Sequence, residues 1–476
     1  MKTEKGWILL SEDLQKPVSK KAAFVTGKFE RYFYGQYFLG QLIFYGIVTG
    51  FLSLYLTDMG IPALVVSGIY AIAKVWDAVN DPMFGVIVDK AKLKKGRYIP
   101  WVRLSTFLIP VTTIFMFAIP SSVSVQVKTL WSLGAYILWS VGYTICDVPI
   151  FALATSMTDN IIERDWLYLI NRIFTFFGAL AVLVFVPLFY PRIGWSVTIA
   201  IMSVLAFATM LPIGYTAKER FFTRDEKEES PSIGKLIRYV AKNKYLLIFN
   251  GAVIVFSLTN TASVVGNYVA IYCLGGPEWI TIISLVSAVP MLLSVLITQQ
   301  LIKRIDKRTV FIVSIAVLIV LNVVTYFVGY KNVMAYIVLT VIKSLFFGAI
   351  GVLQVIFTAD CAEYGNFVSG ERAQGIAFSI QTFTAKLTAA LSGTVGMMIL
   401  GLIGFVEGEG AVQTADTIEW IWRLNTIVPV ISALAAFFIL LFGYQLRTPD
   451  VELMMRVNKG ELTREEAEKG FSRQYT

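Results

Sequence analysis

Asp77 and Asp81 stand four residues apart in Lys74-Val-Trp-Asp-Ala-Val-Asn-Asp-Pro, inside an apolar stretch long enough to cross a membrane. On a helix that spacing puts both carboxylates on one face. An ionised acid in hydrocarbon costs several kcal/mol, so intramembrane acids point first to ion or substrate sites. Two carboxylates and a hydroxyl oxygen make a hard-cation site. Thr144, three residues before Asp147 in Tyr143-Thr-Ile-Cys-Asp-Val-Pro, supplies the hydroxyl from a second apolar stretch. A proton can take the ion's place, because two close carboxylates resist ionising together. Lys74, one turn from Asp77, can pair with it. Asn171-Arg172 and the stretch Ser379-Ile-Gln-Thr-Phe-Thr-Ala-Lys386 bring further charges to a similar depth, which suggests one polar cavity. The competing reading makes these groups buried ion pairs that only fix helix packing.

The elements that must hold these residues follow from composition. The chain has 476 residues, 56% hydrophobic and 15% charged, with mean hydropathy +0.68. Soluble domains carry about 25% charged residues. The sequence predicts an all-α membrane protein of twelve transmembrane helices. The spans are 33–57, 63–89, 99–119, 129–154, 167–190, 194–215, 245–272, 278–302, 309–328, 334–358, 374–403 and 420–446. Lys90, Lys92, Lys94, Lys95 and Arg97, then Arg164, Lys218, Arg220 and Arg224, and later Lys303 to Arg308, fall in one set of loops. The positive-inside rule makes that set cytoplasmic, with both termini on the same side. The net charge of +9 is mostly this topology signal, and no exposed basic face with aromatic residues suggests nucleic acid. Histidine is absent, which removes the commonest general base and the usual zinc ligand. Cys146, Cys273 and Cys361 lie in or beside apolar spans and imply no disulfide framework. Met1 to Arg31 lacks an apolar core of the signal-peptide kind.

The domain reading is a cytoplasmic segment 1–32, a six-helix bundle 33–215, a solvated linker 216–244, a second six-helix bundle 245–446 and a charged tail 447–476. A weak internal repeat supports two halves. Gly85-Val-Ile-Val-Asp-Lys with the following basic loop has an echo in Lys303-Arg-Ile-Asp-Lys-Arg. Two six-helix halves with a basic loop at equivalent points fit the major facilitator architecture.

Trp76-Asp-Ala-Val-Asn-Asp-Pro-Met-Phe-Gly85, followed by Lys95-Gly-Arg-Tyr-Ile-Pro-Trp101, resembles the signature of the glycoside–pentoside–hexuronide:cation symporters, the melibiose-permease-like family. The resemblance recurs at Asp147-Val-Pro, at Asn171-Arg172, and at Asp360-Cys-Ala-Glu363-Tyr-Gly leading to Gln381, Thr382 and Lys386, so it covers nearly the whole chain. It implies a cation site at Asp77, Asp81 and Thr144, with Asp147 bridging the cation and sugar sites. It implies a sugar pocket lined by Arg172, Lys386 and Thr382, with Gln381 and Tyr143 beside them. The basic loop from Asp89 to Arg97 resembles the facilitator motif that latches the halves on the cytoplasmic side; Lys74, Asp360 and Glu363 are read as gating or structural charges. Two departures fall on the sugar side. Relatives commonly carry Gly-Asp early in the first span, where this chain has Tyr34-Gly35-Gln36-Tyr37; Gln36 then replaces the acid, or Glu30 serves instead. Melibiose permeases have tryptophan one turn after the fourth-span acid, where Phe151 stands here.

The resemblance implies a non-enzymatic importer in the cytoplasmic membrane, moving a sugar or glycoside with Na⁺, Li⁺ or H⁺ by alternating access. No cofactor beyond the coupling cation is expected, and a monomer is the default. The alternatives are a lipid or lysolipid carrier on the same fold, or a sugar exporter or antiporter. An intramembrane aspartyl protease is disfavoured, since its Gly-x-Gly-Asp pattern is missing.

Overall fold

A computed structural model of the chain describes residues 24–90, 96–221, 241–370, 374–473 and 475; the side chains of Asp81 and Asp89 fall outside that description. Twelve long helices follow one another. They are α1 Lys28–Asp58, α2 Ala63–Lys90, α3 Ile99–Met116, α4 Val125–Met157, α5 Ile161–Ile193 and α6 Trp195–Met210. After the linker come α7 Lys244–Cys273, α8 Glu278–Leu301, α9 Lys307–Val328, α10 Val333–Ser369, α11 Gln374–Leu402 and α12 Ala415–Phe438. Eleven of them are long and apolar enough to cross a membrane. The other, α2, has 28 residues and reaches about 40 Å at 1.5 Å per residue, with Lys74 and Asp77 in its apolar run. The chain is a multi-pass membrane protein.

Helix ends are set by short polar caps. Asn160, Asp306, Asn332 and Thr414 accept backbone N–H groups in the first turns of α5, α9, α10 and α12, which satisfies donors that the helix leaves open. Gly370 ends α10 at φ +70°, where a side chain would be strained. That end lies eleven residues beyond the expected boundary at 358. Hydropathy stops there because Asp360 and Glu363 follow, yet the helix continues because both acids are satisfied: Lys307 Nζ lies 2.6 Å from Asp360, and Asn458 donates to Glu363 at 2.8 Å. Asn458 belongs to α13 Thr448–Asn458, which α14 Arg464–Gly470 follows, so the charged tail forms two short helices.

Span seven is interrupted, which the hydropathy pattern did not show. Ser257–Asn260 forms a 3-10 turn and Val269–Cys273 a π turn. Ser257 and Thr259 donate their hydroxyls to the preceding turn, the local competition that bends helices. Ser392 of α11 then donates to the Ser257 carbonyl at 2.8 Å, so a neighbouring helix meets the backbone freed at the break.

The repeat seen weakly in sequence has a physical counterpart. Arg103 of α3 donates to the Gly214 carbonyl just past α6 at 2.5 Å. Arg308 of α9 donates to the Leu441 and Tyr444 carbonyls just past α12 at 2.8 and 2.7 Å. The first residues of the expected solvated linker are in fact bound into the N-terminal bundle. Glu219 accepts three N–H groups, from Arg97, Tyr98 and Ile99, at 2.7–2.8 Å, and so caps α3. Arg220 grips Glu30 through two nitrogens at 2.8 and 2.9 Å.

The two groups of helices meet at the end where α1 and α11 finish, the outer end by the positive-inside rule. Thr57 bonds Tyr268 at 3.0 Å, Asn267 donates to Gly50 O at 2.7 Å, and Ala63 N donates to Glu407 at 2.8 Å. Gly408 N and Glu409 N donate to the carbonyls of Thr57 and Asp58. Thr281 of α8 also donates to the Leu183 carbonyl at 3.3 Å, ten residues from the end of α5. The apolar core agrees: one cluster runs from the N-terminal helices into Tyr268, Leu400, Phe405 and Trp422, while Phe249, Phe357 and Tyr444 form a separate core at the inner end of the other half. Among the described residues the halves are closed against each other at this end. Gly401 of α11 is a point of close approach in that closure, since a Cβ there would lie 2.8 Å from Leu64 N and 3.2 Å from its Cα. Backbone cannot give way as a side chain can, and such overpacking costs about 1–3 kcal/mol. Gly401→Val is expected to cut initial uptake roughly tenfold or more at normal membrane abundance. Gly134→Val, with open space around it, is the control and keeps near-normal uptake.

Candidate functional site: the polar seam of α1, α2 and α4

The face of α2 that carries Asp77 turns towards α4. Lys74 Nζ bonds Asp77 Oδ2 at 2.9 Å, and the Ser140 hydroxyl of α4 donates to Asp77 Oδ1. Asn80 Nδ2 donates to Thr144 Oγ1 at 2.7 Å, and Thr144 in turn donates to the Ser140 carbonyl at 3.1 Å. A continuous polar string therefore runs Asp77, Ser140, Thr144, Asn80. The Lys74–Asp77 pair sits within one helix, so it cannot staple two helices together, which weakens the reading of these charges as packing devices. Asp81 follows Asp77 by one turn on the α2 backbone; its side chain lies outside the described residues. Among those residues no three acids converge, so the described oxygens of the cation reading are those of Asp77 and Thr144.

Asp147 lies three residues beyond Thr144 and opens a second region. Gln41 Nε2 of α1 donates to Asp147 Oδ1 at 2.8 Å. Tyr143 and Phe151 flank Asp147 by one turn on either side of α4, and Tyr45 and Phe38 flank Gln41 on α1. The ring pairs are Tyr45–Tyr143 at 5.3 Å and Phe38–Phe151 at 5.1 Å between centroids. Tyr143 also stacks on Trp139 at 5.0 Å. Two antiparallel helices thus meet in three rungs, an acid–amide rung between two aromatic ones. Phe151 remains 44% exposed, so part of its ring is open to a ligand. A carboxylate bordered by ring faces can hold a sugar's hydroxyls and its apolar face together.

Gln36 and Glu30, the two replacements expected for an early acid, are elsewhere. Gln36 shares a face of α1 with Gly40, whose missing Cβ makes room for Ala206 O and Met210 of α6. Its Oε1 is buried without a hydrogen-bond partner among the described residues. Glu30 is held by Arg220. The amide that meets Asp147 is Gln41, which sequence reasoning passed over; it lies five residues from Gln36, about 140° further round the helix. Asn80 and Ser140 were also missed. Asn80 stands inside the motif already singled out, and Ser140 lies one turn before Thr144.

Register places the basic residues. Gly393 of α11 packs on Tyr70 of α2, and the two helices run antiparallel. Two turns inward from that contact, seven residues along each chain, come Lys386 and Asp77, so Lys386 lies level with Asp77 on the facing side of α11. Thr382, one turn further, follows the same face, and both residues are exposed. Gln381 instead lines a cavity of about 190 Å³ with Asn250 and Gln354. Arg172 is exposed and lies eleven residues, three turns, from Leu183, whose carbonyl accepts from Thr281 of α8. It therefore lies on the side of α5 turned to the other half. The latch expected from Asp89 to Arg97 lies largely outside the described residues; of it, Arg97 donates its backbone N–H to Glu219, and its guanidinium lies over the Tyr98 ring.

A helix bundle closed at one end around such a seam is the architecture of a carrier. The family described as MFS/sugar transport protein matches residues 33–448, and the chain belongs to that family, a class of transporters. An uncharacterized symporter of Bacillus subtilis (strain 168), YjmB, is 27% identical over 461 residues, covering 94% of this chain and 96% of its own. The isoprimeverose transporter of Lactiplantibacillus pentosus is 27% identical over 414 residues, covering 83% and 85%. Among solved structures, the nucleoside transporter NupG superposes with a TM-score of 0.63 at 16% identity, covering 88% of this chain and 100% of that one; that likeness is one of fold.

Proposed function

We propose that this chain imports a sugar or glycoside across the cytoplasmic membrane by symport with a monovalent cation, Na⁺, Li⁺ or H⁺. The observation that carries the reading is the adjacency on α4 of two different sites. Ser140 and Thr144 belong to the Asp77 string, while Tyr143, Asp147 and Phe151 meet α1 in an acid–amide rung between two aromatic ones. A cation at Asp77, Asp81 and Thr144 would set the position of Asp147 and so raise sugar affinity; by linkage the sugar raises cation affinity equally, typically about 1–3 kcal/mol. Lys386 and Arg172, on faces turned to the opposite half, would close on the sugar as the halves rock. The names of the Bacillus and Lactiplantibacillus relatives support symport and a sugar cargo. The working unit is taken to be a monomer, with the cation carried as co-substrate and no other cofactor.

Thermal unfolding of the purified chain against a panel of glycosides, with and without Na⁺, tests this. A true substrate at roughly a hundredfold excess over Kd stabilises by about 2.7 kcal/mol, and does so only when the coupling cation is present. A panel in which no glycoside shifts the unfolding temperature under Na⁺, Li⁺ or low pH, while a lysolipid does, would overturn the sugar reading in favour of a lipid carrier.

A further inference from the structure

Lys343 is a cation that the site above does not use. It lies ten residues into α10, about 15 Å from the outer end, and lines a cavity of about 400 Å³ walled mostly by the C-terminal bundle. Asn322 of α9, Asn425 of α12, Asn267 of α7, Ser284 of α8 and Thr340 share the lining. That volume falls within the usual range for small-molecule sites, about 300–1,000 Å³. The contacts of the ammonium are neutral and loose: Asn322 Oδ1 at 3.4 Å and the Tyr336 ring centroid at 5.7 Å. Charge-assisted bonds run nearer about 2.7–2.9 Å.

No carboxylate among the described residues pairs with Lys343. Asp360 is taken by Lys307 and Glu419 by Arg423, and Glu363 receives Asn458. A cation at membrane depth without a counter-charge costs several kcal/mol, so either the site stays neutral or an anion enters. The cavity has routes for entry. Leu183 of α5 forms part of its wall, so it borders the seam between the halves. It also shares Asn260 and Phe347 with the smaller cavity that Gln381, Gln354 and Asn250 line. Asn260 closes the 3-10 turn of α7, so the two spaces adjoin where that helix breaks.

We infer that Lys343 and its amide-lined chamber form a binding site for a singly charged anion. Two sources share that chemistry: the carboxylate of an acidic glycoside, and a free halide. The first would place the carboxylate of an acidic sugar at Lys343 and rests on the transport reading, whereas halide binding does not.

The test uses the purified full-length chain and its Lys343→Met and Lys343→Arg variants, each titrated by thermal shift. The probes are methyl β-glucuronide, its neutral counterpart methyl β-glucoside, and sodium chloride set against the sodium salt of a bulky sulfonate buffer. Expected is that glucuronide or chloride stabilises the wild type, that Lys343→Met weakens that binding roughly tenfold or more, and that Lys343→Arg keeps it. Glucuronide-only protection assigns the site to substrate, and chloride-only protection to a free ion. If neither anion distinguishes wild type from a folded Lys343→Met, the site is overturned. A neutral glycoside that passes the Na⁺ test above is expected to bind all three forms alike, so that failure would leave the sugar reading standing.

Discussion

Asp77→Asn abolishes cation-stimulated uptake and lowers stability by about 3 kcal/mol, because it leaves the Lys74 ammonium partly buried without its carboxylate. That pair is 2.9 Å apart, with each side chain 24% exposed, so the loss is set near the lower end of the range for breaking a buried pair. The double variant Lys74→Met/Asp77→Asn separates the two effects. Removing both charges and keeping similar volume restores the unfolding temperature to near the wild-type value, while stimulation by Na⁺ stays lost. Asp81→Cys, which leaves Lys74 its partner, is expected to lose stimulation without the stability penalty. Membrane-vesicle uptake with and without Na⁺, beside thermal unfolding of the same preparations, reads both quantities. Full Na⁺ stimulation in the double variant and in Asp81→Cys would remove these acids from the cation site.

Asp147→Asn weakens sugar binding by about a hundredfold while the protein folds normally. A carboxylate accepting two sugar hydroxyls supplies charge-assisted bonds worth about 1.5–3 kcal/mol each, and an amide supplies roughly half of that. The fold survives because Gln41 Nε2, now bonded to Asp147 at 2.8 Å, finds the carbonyl oxygen of the new amide. Asp147→Leu is expected to behave worse on both counts, since it strands the Gln41 amide as a buried donor. Substrate titration by calorimetry under saturating Na⁺ measures the loss. Unchanged sugar affinity in Asp147→Asn would move the sugar pocket elsewhere, towards Gln381 and the cavity at Asn250.

Helix positions were legible in the sequence because bilayer thickness and uninterrupted apolar runs leave few choices. Most boundaries fall within a few residues of those expected from hydropathy. The exceptions have local causes. The inner end of α10 runs past Asp360 because Lys307 neutralises it, and α7 breaks because two hydroxyls fold back onto its own turn. Chemistry was legible by type and depth, as with Asp77, Thr144 and Asp147, but partners were not. Whether Gln36 or Gln41 meets Asp147 depends on the phase of α1, and a motif fixes residue type without fixing phase. Lys343 carried a plain signal, a lone lysine well inside an apolar run. It went unread because nothing in the sequence near it marks what it faces.

Lys74 already pairs with Asp77, which leaves Asp81 as the acid whose charge an arriving monovalent cation would offset at the proposed site. The empty carrier would then cross the membrane field one charge lighter than the loaded carrier. Each elementary charge moved through ~100 mV is worth about 2.3 kcal/mol, so an interior-negative voltage would drive a cycle in which the carrier moves inward loaded and returns empty. Electrical potential, and not the Na⁺ gradient alone, would set how far this protein can concentrate its cargo.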